Sequence, residues 1–396
     1  MNINPRSNNF VEKSGSDSIG LYVHVPFCDG KCPYCDFFSL RGDEARMEEY
    51  TSCIISRIIS ESERIGRPAD TLYFGGGTPS LLGGKRIARI VEAARREFGL
   101  KNAEITVEAN PGGDLSGFFR EIAAAGVNRV SLGLQSANQN ELRLLGRRHT
   151  AEDAARAAED AHAAGIGNVS LDLMLAVQGQ TEESLARSVD FCAACGACHV
   201  SAYLLKLEPH TAYWQRRAAL RLPGEDEAAG LYLAACRMLA EKGYRQYEIS
   251  NFARPGFESR HNLKYWRCEE YLGVGPAAHS FLDGKRFHWK PSLRGFLAGE
   301  GPEQDGAGGD FDEFAMLRLR LAEGLTDAAC LARFGYPVPE RVRRAAKRYE
   351  SAGLAAPVPG GFRFTPRGFL VSNTLTAEVL FPQQSNAARR AAFDCH

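Results

Sequence analysis

From Leu21 onward, short runs rich in β-branched and aromatic residues alternate with longer stretches whose apolar positions recur at helical spacing. The pattern predicts strands at 21–27, 71–76, 104–109, 129–135, 168–175 and 199–207, with helices near 43–65, 84–98, 114–125, 138–164 and 181–195. Six successive strand–helix units imply a parallel sheet buried on both faces, because each crossover lays a helix against it. After about residue 210 the pattern changes. A helix is predicted near 225–242, followed by Tyr247–Ser280, a stretch dense in aromatics and turn residues. Gly299–Asp310 reads as a linker. Helical patterns at 311–323 and 338–352 then precede a hairpin signal, GLAAPVPGGFRFTPRG. The expected organisation is a polar, disordered 1–19, a βα domain at 20–210, an extension at 211–300, a small helical domain at 301–382 and a loose tail at 383–396 that includes Cys395.

Charge narrows the class of partner. Lys plus Arg and Asp plus Glu each number 48, so no net field favours nucleic acid or an anionic membrane. No apolar segment is long enough to span a bilayer, and the N-terminus lacks a signal-peptide core, which leaves only peripheral membrane contact open. Eleven cysteines are an odd number for a disulfide framework and fit a reducing compartment, so a cytoplasmic protein is expected.

The first predicted strand runs directly into Cys28, Cys32 and Cys35, a C-x3-C-x2-C spacing on a loop marked by Gly30 and Pro33. Three thiolates so close together suit a soft metal or an iron–sulfur cluster. In a [4Fe-4S] cubane they would leave one iron open to a small chelating molecule, with Tyr34 shielding the cluster from water. A zinc ion, which wants a fourth ligand, and inert buried thiols are the alternatives.

The ends of the later strands carry polar groups. Gly75, Gly76 and Gly77 follow the second strand, where backbone can approach a ligand with no Cβ in the way, and Thr78 and Pro79 fix the turn. Glu108 ends VEANP, Gln135 ends SLGLQS, and Asp172 sits in SLDLML. A carboxylate in an apolar strand is costly unless it is paired or bound to a ligand. Arg147 could clamp a ligand carboxylate, or it could simply pair with Glu108 and Asp172.

The cysteine motif after a first strand, followed by GGGTP, resembles the radical S-adenosylmethionine (SAM) superfamily. YVHVPFC and YCDFFS resemble, more narrowly, the oxygen-independent coproporphyrinogen III oxidase group and its heme-chaperone branch. The resemblance implies an α/β fold: a partial (βα)6 TIM-like barrel that does not close, with a small C-terminal helical, winged-helix-like domain. It implies a [4Fe-4S] cluster on Cys28, Cys32 and Cys35, and SAM contacts from Tyr22, Gly76, Gly77, Thr78, Glu108, Gln135, Arg147 and Asp172. The SAM methionine would chelate the open iron, and one electron from a donor such as flavodoxin or ferredoxin would yield a 5′-deoxyadenosyl radical. Oxidases of the group carry a fourth cysteine two residues after the third; here that position is Phe37, which argues against coproporphyrinogen decarboxylation. His261-Asn262-Leu263-Lys264-Tyr265-Trp266 resembles the H-N-x-x-Y-W motif of the chaperone branch. It suggests His261 as a heme ligand beside Tyr265 and Trp266, with His279 as a second candidate. Heme and acceptor hemoproteins are then the expected partners. The alternative is a radical SAM coproporphyrinogen III dehydrogenase or other tetrapyrrole-modifying enzyme. Two features depart from the pattern: Gln178 stands where the family usually has proline, and Cys192, Cys195, Cys198 and His199 have zinc-like spacing, although small buried residues on a helix account for them more simply.

Overall fold

The computed structural model describes residues 18–381; the predicted tail and all but the last two residues of the predicted disordered segment lie outside them. Six parallel strands pair in chain order: β1 (Ile19–Val25), β2 (Ala69–Gly76), β3 (Glu104–Ala109), β4 (Arg129–Gln135), β5 (Asn168–Leu175) and β6 (His199–Leu204). The first strand thus begins at Ile19, two residues earlier than its apolar run suggested. The crossovers hold α1 (Glu44–Ile65), α2 (Gly84–Phe98), α3 (Ser116–Ala124), α4 (Gln139–Leu144), α5 (Ala151–Ala163) and α6 (Glu182–Ala194). β1 and β6 do not pair with each other, so the barrel stays open.

Side chains alternate between the two faces along the strands up to the register shift near the end of β4. Leu21, Val23, Phe74, Val107, Leu132 and Leu171 are buried in the apolar core under the helices. The residues between them face inward and are polar or aromatic. Tyr22 and Tyr73 lie ring to ring at 6.3 Å, Tyr73 Oη donates to Glu108 Oε1 at 2.8 Å, and Ser131 Oγ donates to Asp172 Oδ1 at 3.1 Å. The inner face is therefore not a second apolar layer but the wall of a polar lumen, because the curl of the sheet encloses it.

The single helix predicted over 138–164 is two. Gly146 adopts φ +72°, and Thr150 with Asp153 forms a capping box that starts α5 afresh. The break presents Arg147 at the mouth of the barrel.

Beyond β6 come α7 (Ala212–Gln215), α8 (Glu225–Glu241), β7 (Arg245–Gln246), β8 (Asn251–Ala253) and α9 (Arg260–Trp266). Next are β9 (Tyr271–Val274), β10 (His279–Leu282), β11 (Lys285–His288), α10 (Leu293–Leu297) and β12 (Glu303–Ala307). β8 and β7 extend the sheet beyond β6, while β9 to β12 extend it beyond β1, giving twelve strands. The segment read as a linker is thus strand: β12 pairs antiparallel with β11. Every residue of this edge strand is exposed, so it lacks the apolar alternation that marks a strand in sequence. The C-terminal unit adds α11 (Phe311–Arg318), β13 (Leu325–Thr326), α12 (Asp327–Phe334), α13 (Glu340–Lys347) and the hairpin of β14 (Ala355–Val358) and β15 (Gly361–Phe364). β13 joins that hairpin as a three-stranded sheet, the strand–helix–helix–hairpin order of a winged helix. α14 (Pro366–Phe369) and α15 (Ser372–Leu380) complete it. Among the described residues no helix is long and apolar enough to cross a membrane.

Candidate functional site

The cysteine loop is stitched to the end of β1. Cys28 N donates to Leu40 O at 2.9 Å and Leu40 N to Pro26 O at 2.8 Å, closing residues 28–40 into a loop at the carboxyl end of the barrel. The strand end at Gly75–Thr78 clasps the same place: Gly77 N donates to Val25 O at 2.8 Å and Thr78 N to Phe27 O at 2.7 Å. A Cβ on Gly77 would lie 2.5 Å from Phe27 O, and one on Gly76, at φ +109°, would lie 2.6 Å from the His24 ring. On the Cβ side of both glycines the chain itself fills the space, so neither position accepts a side chain. Tyr213, which the sequence did not single out, clamps the other side: its N–H donates to Pro33 O at 2.8 Å and its hydroxyl to Leu144 O. Tyr34 packs on Leu145, Met174 and Val177, closing the inner side of the loop.

All three thiols are free and half-buried. Their sulfurs do not all fall within 4.8 Å of one another; among the described residues the one such metal-ligand trio is His279, His288 and Asp305. Tetrahedral zinc, with Zn–S near 2.3 Å, needs its sulfurs about 3.8 Å apart, whereas a cluster spreads its cysteines over separate irons. Three thiols on one loop at the barrel mouth, with hydrogen-bond donors on two of them, form the donor set of a cluster that keeps one iron open.

Hydrogen-bond donors reach two of the sulfurs through a continuous arc. Arg147 Nη1 lies 3.5 Å from Cys32 Sγ, and its Nη2 donates to Asn110 Oδ1 at 2.7 Å and Gly133 O at 2.9 Å. Asn110 Nδ2 in turn donates to Thr78 Oγ1 at 2.9 Å, and Thr78 Oγ1 lies 3.6 Å from Cys28 Sγ. Such donors stabilise thiolate charge. Asn110 was overlooked, although the strand-end VEANP that marks Glu108 also contains it. A Cβ on Gly133 would come within 2.9–3.1 Å of the Gln135 amide, Arg147 and Asn110, so this glycine makes room for all three. Gln135 itself ends β4 at φ +69°, beside a register shift against β5. Backbone outliers of this kind concentrate at functional sites. A cavity of about 450 Å³ opens here, lined by Cys28, Cys32, Thr78, Asn110, Arg147 and His149, among others.

Glu108 and Asp172 face the lumen, each with its own partners. Burial raises the Glu108 carboxyl to about 7 against the pull of Tyr73, with the Asp172 charge adding to the rise. Burial also raises Asp172, opposed by Ser201 and Ser131. Tyr22 Oη bonds His24 Nδ1 at 3.0 Å, and His24 Nε2 lies 3.0 Å from Phe38 O, linking the lumen to the cysteine loop. Phe37, at the place of the fourth cysteine, is 66% exposed.

The H-N-x-x-Y-W motif lies elsewhere, on α9 at the amino-terminal end of the barrel. Glu104 accepts the Arg260 and His261 amides at 3.0 Å each, capping the helix. The His261 ring is buried, with Nδ1 2.8 Å from Thr71 Oγ1 and Nε2 2.6 Å from Tyr265 Oη, and it stacks on Tyr73 at 5.2 Å. Burial, with Lys264 and Arg129 nearby, lowers its pKa to about 3. Both nitrogens are engaged, so this conformation offers no lone pair to an iron. Trp266 stands apart beneath Arg320. The zinc-like Cys192–His199 set does not converge either: His199 bonds Ser170 and Tyr247 in the barrel, while Cys198 Sγ faces Asn168 Oδ1. Gln178 accepts from Arg221 N at 3.2 Å, tying its loop to the segment before α8.

An open six-stranded barrel with a three-cysteine loop at its mouth defines a radical SAM-type protein. Residues 22–192 match the radical SAM superfamily, and residues 311–371 match the HemN C-terminal domain. The heme chaperone HemW of Mycobacterium tuberculosis is 38% identical over 338 residues, 81% of this chain and 85% of that protein. HemW of Escherichia coli is 36% identical over 77% of this chain and 83% of its own length. The structure of coproporphyrinogen III oxidase (HemN) from Escherichia coli, a radical SAM enzyme, superposes with a TM-score of 0.76 at 20% identity, covering 91% of this chain and 90% of that one. The chain belongs to the heme chaperone HemW family within the radical SAM superfamily. That superfamily implies a [4Fe-4S] cluster and SAM as cofactors.

Proposed function

We propose that this chain is a cytoplasmic heme chaperone that binds heme and passes it to acceptor hemoproteins. The observation that carries the reading is the 38% identity maintained over 85% of the length of a heme chaperone. Phe37 at the place of the fourth cysteine supports it. Similarity to the oxidase, at 20% identity, supports the scaffold alone.

Cys28, Cys32 and Cys35 would hold the cluster, which supplies a reducing electron and an iron open to the amino-acid end of SAM. Arg147, oriented by Asn110 and the Gly133 carbonyl, sets a fixed cation where a SAM carboxylate would lie. Gln135 and Thr78 place neutral polar groups beside it, and Glu108 and Asp172 line the lumen where the nucleoside would enter. Tyr34 and Tyr213 keep water from the inner side of the loop. A flavodoxin- or ferredoxin-type donor would supply the electron.

The test is anaerobic incubation of cluster-loaded protein with SAM, reductant and coproporphyrinogen III, alongside a hemin titration. The expected result is saturable hemin binding and no protoporphyrinogen. Protoporphyrinogen formation would replace the chaperone reading with that of the dehydrogenase.

A further inference from the structure

Among the described residues, a trio of metal-ligating groups outside the cysteine loop lies on the sheet extension. His279 on β10 and His288 on β11 are direct cross-strand partners, and their rings stack at 5.2 Å with an interplanar angle of 23°. Asp305 on β12 reaches both: Oδ1 is 2.7 Å from His288 Nδ1 and Oδ2 is 3.9 Å from His279 Nδ1. One ligand atom from each of the three residues falls within a common 4.8 Å. Glu303, the register partner of His288, brings Oε2 to 3.9 Å from His288 Nε2 while it is held by Lys290 at 3.0 Å. His24, His199 and His261 contrast with this pair, each having both ring nitrogens committed inside the protein.

Three properties favour an ion over an ordinary polar surface. The donors sit on adjacent strands fixed by backbone pairing, so binding needs side-chain rotation and no backbone movement. Two imidazoles and a carboxylate are the donor set of open, three-ligand sites for divalent transition ions, and they exclude calcium and magnesium, which prefer all-oxygen shells. A tetrahedral ion with bonds of about 2.0–2.1 Å needs ligand atoms near 3.3 Å apart, within reach of the present spacing.

The site is not remote from the mouth of the barrel. β9 connects β10 to β1, and Gly273 on β9 is the register partner of Tyr22. A Cβ on Gly273 would lie 2.1 Å from His279 O, so the His279 backbone passes directly over it. The turn after β9 also packs on His24, since a Cβ on Gly275 would lie 2.6 Å from His24 O, and His24 is bonded to Phe38 of the cysteine loop.

We propose that His279, His288 and Asp305 form a mononuclear site for a divalent transition metal of the zinc type, distinct from the cysteine centre and carrying open coordination positions. Glu303 stands ready as a fourth ligand once Lys290 releases it.

Anaerobic titration of the cluster-loaded full chain with Zn(II), followed by calorimetry and thermal unfolding, tests this. The expected result is one equivalent of zinc bound and a raised Tm. His279→Ala, His288→Ala and Asp305→Asn should each weaken binding at least tenfold without changing the metal-free Tm or the cluster absorbance. Cys28→Ala should leave that equivalent in place. Absence of a zinc equivalent in the wild type, or affinity unchanged in the His279 and His288 variants, would overturn the proposal.

Discussion

Arg147 places one guanidinium nitrogen 3.5 Å from the Cys32 sulfur and the other 2.7 Å from Asn110 Oδ1. One side chain thus joins a cysteine to the loop after β3, and it is held by a chain of bonds that ends at Cys28. Charge-assisted hydrogen bonds to a ligand are each worth about 1.5–3 kcal/mol. Arg147→Ala in cluster-loaded protein should therefore weaken SAM binding roughly tenfold to a hundredfold while iron content stays near wild type. Arg147→Lys should recover little, because a single ammonium cannot meet Cys32, Asn110 and Gly133 together. Equilibrium dialysis with SAM, beside iron analysis, separates the two effects; a lysine variant with full affinity would deny Arg147 this role.

Gly77 leaves no room for a side chain, since a Cβ there would lie 2.5 Å from the Phe27 carbonyl, which is backbone and cannot swing away. Gly77→Ala should cost about 1–3 kcal/mol and loosen the anchor of the cysteine loop. The expected readout is a lower Tm together with a lower iron content after anaerobic reconstitution. An unchanged iron content would show that the clasp does not position the cysteines.

Glu108 makes folding depend on pH in a defined direction. Its carboxyl is raised from 4.5 to about 7, so between those values the folded chain binds a proton that the unfolded chain does not. The contribution is fully present below about 4.5 and is lost as pH rises through about 7. Glu108→Gln should be near neutral at pH 4.5 and should stabilise the nucleotide-free protein at pH 8 by roughly 2–3 kcal/mol. Denaturant unfolding at the two pH values measures the difference; equal effects at both would mean that Glu108 titrates normally.

His261 closes the barrel base with two hydrogen bonds and a ring stack, all out of water. His261→Ala should destabilise the fold by about 2–4 kcal/mol. Its hemin Soret band should match that of the wild type at a temperature where both are folded. Loss of that band would show that the base opens and that His261 reaches the iron.

The six barrel strands were legible because alternation and β-branching coincide in them, and β3, β4 and β5 fall on the predicted residues. That the cysteine loop and Arg147 meet at the barrel mouth, and that Glu108 and Asp172 face its lumen, was foreshadowed by polar residues set in otherwise apolar strands and at their ends. Other features depend on long-range pairing. Strands β7 to β12 run two to five residues each and carry too little periodicity to stand out. The function of the His261 motif turned on which barrel end α9 reaches, and that is fixed by Glu104, a residue 157 positions away. Asn110 and Tyr213 gain their roles from partners on other loops.

The account depends on an iron–sulfur cluster held by three cysteines, and metal analysis of anaerobically reconstituted protein tests this most directly. Iron and acid-labile sulfide should each approach four per chain, and Cys28→Ala, Cys32→Ala and Cys35→Ala should each abolish both. Iron that persists in those variants, or zinc held by the three cysteines in place of iron, would contradict it.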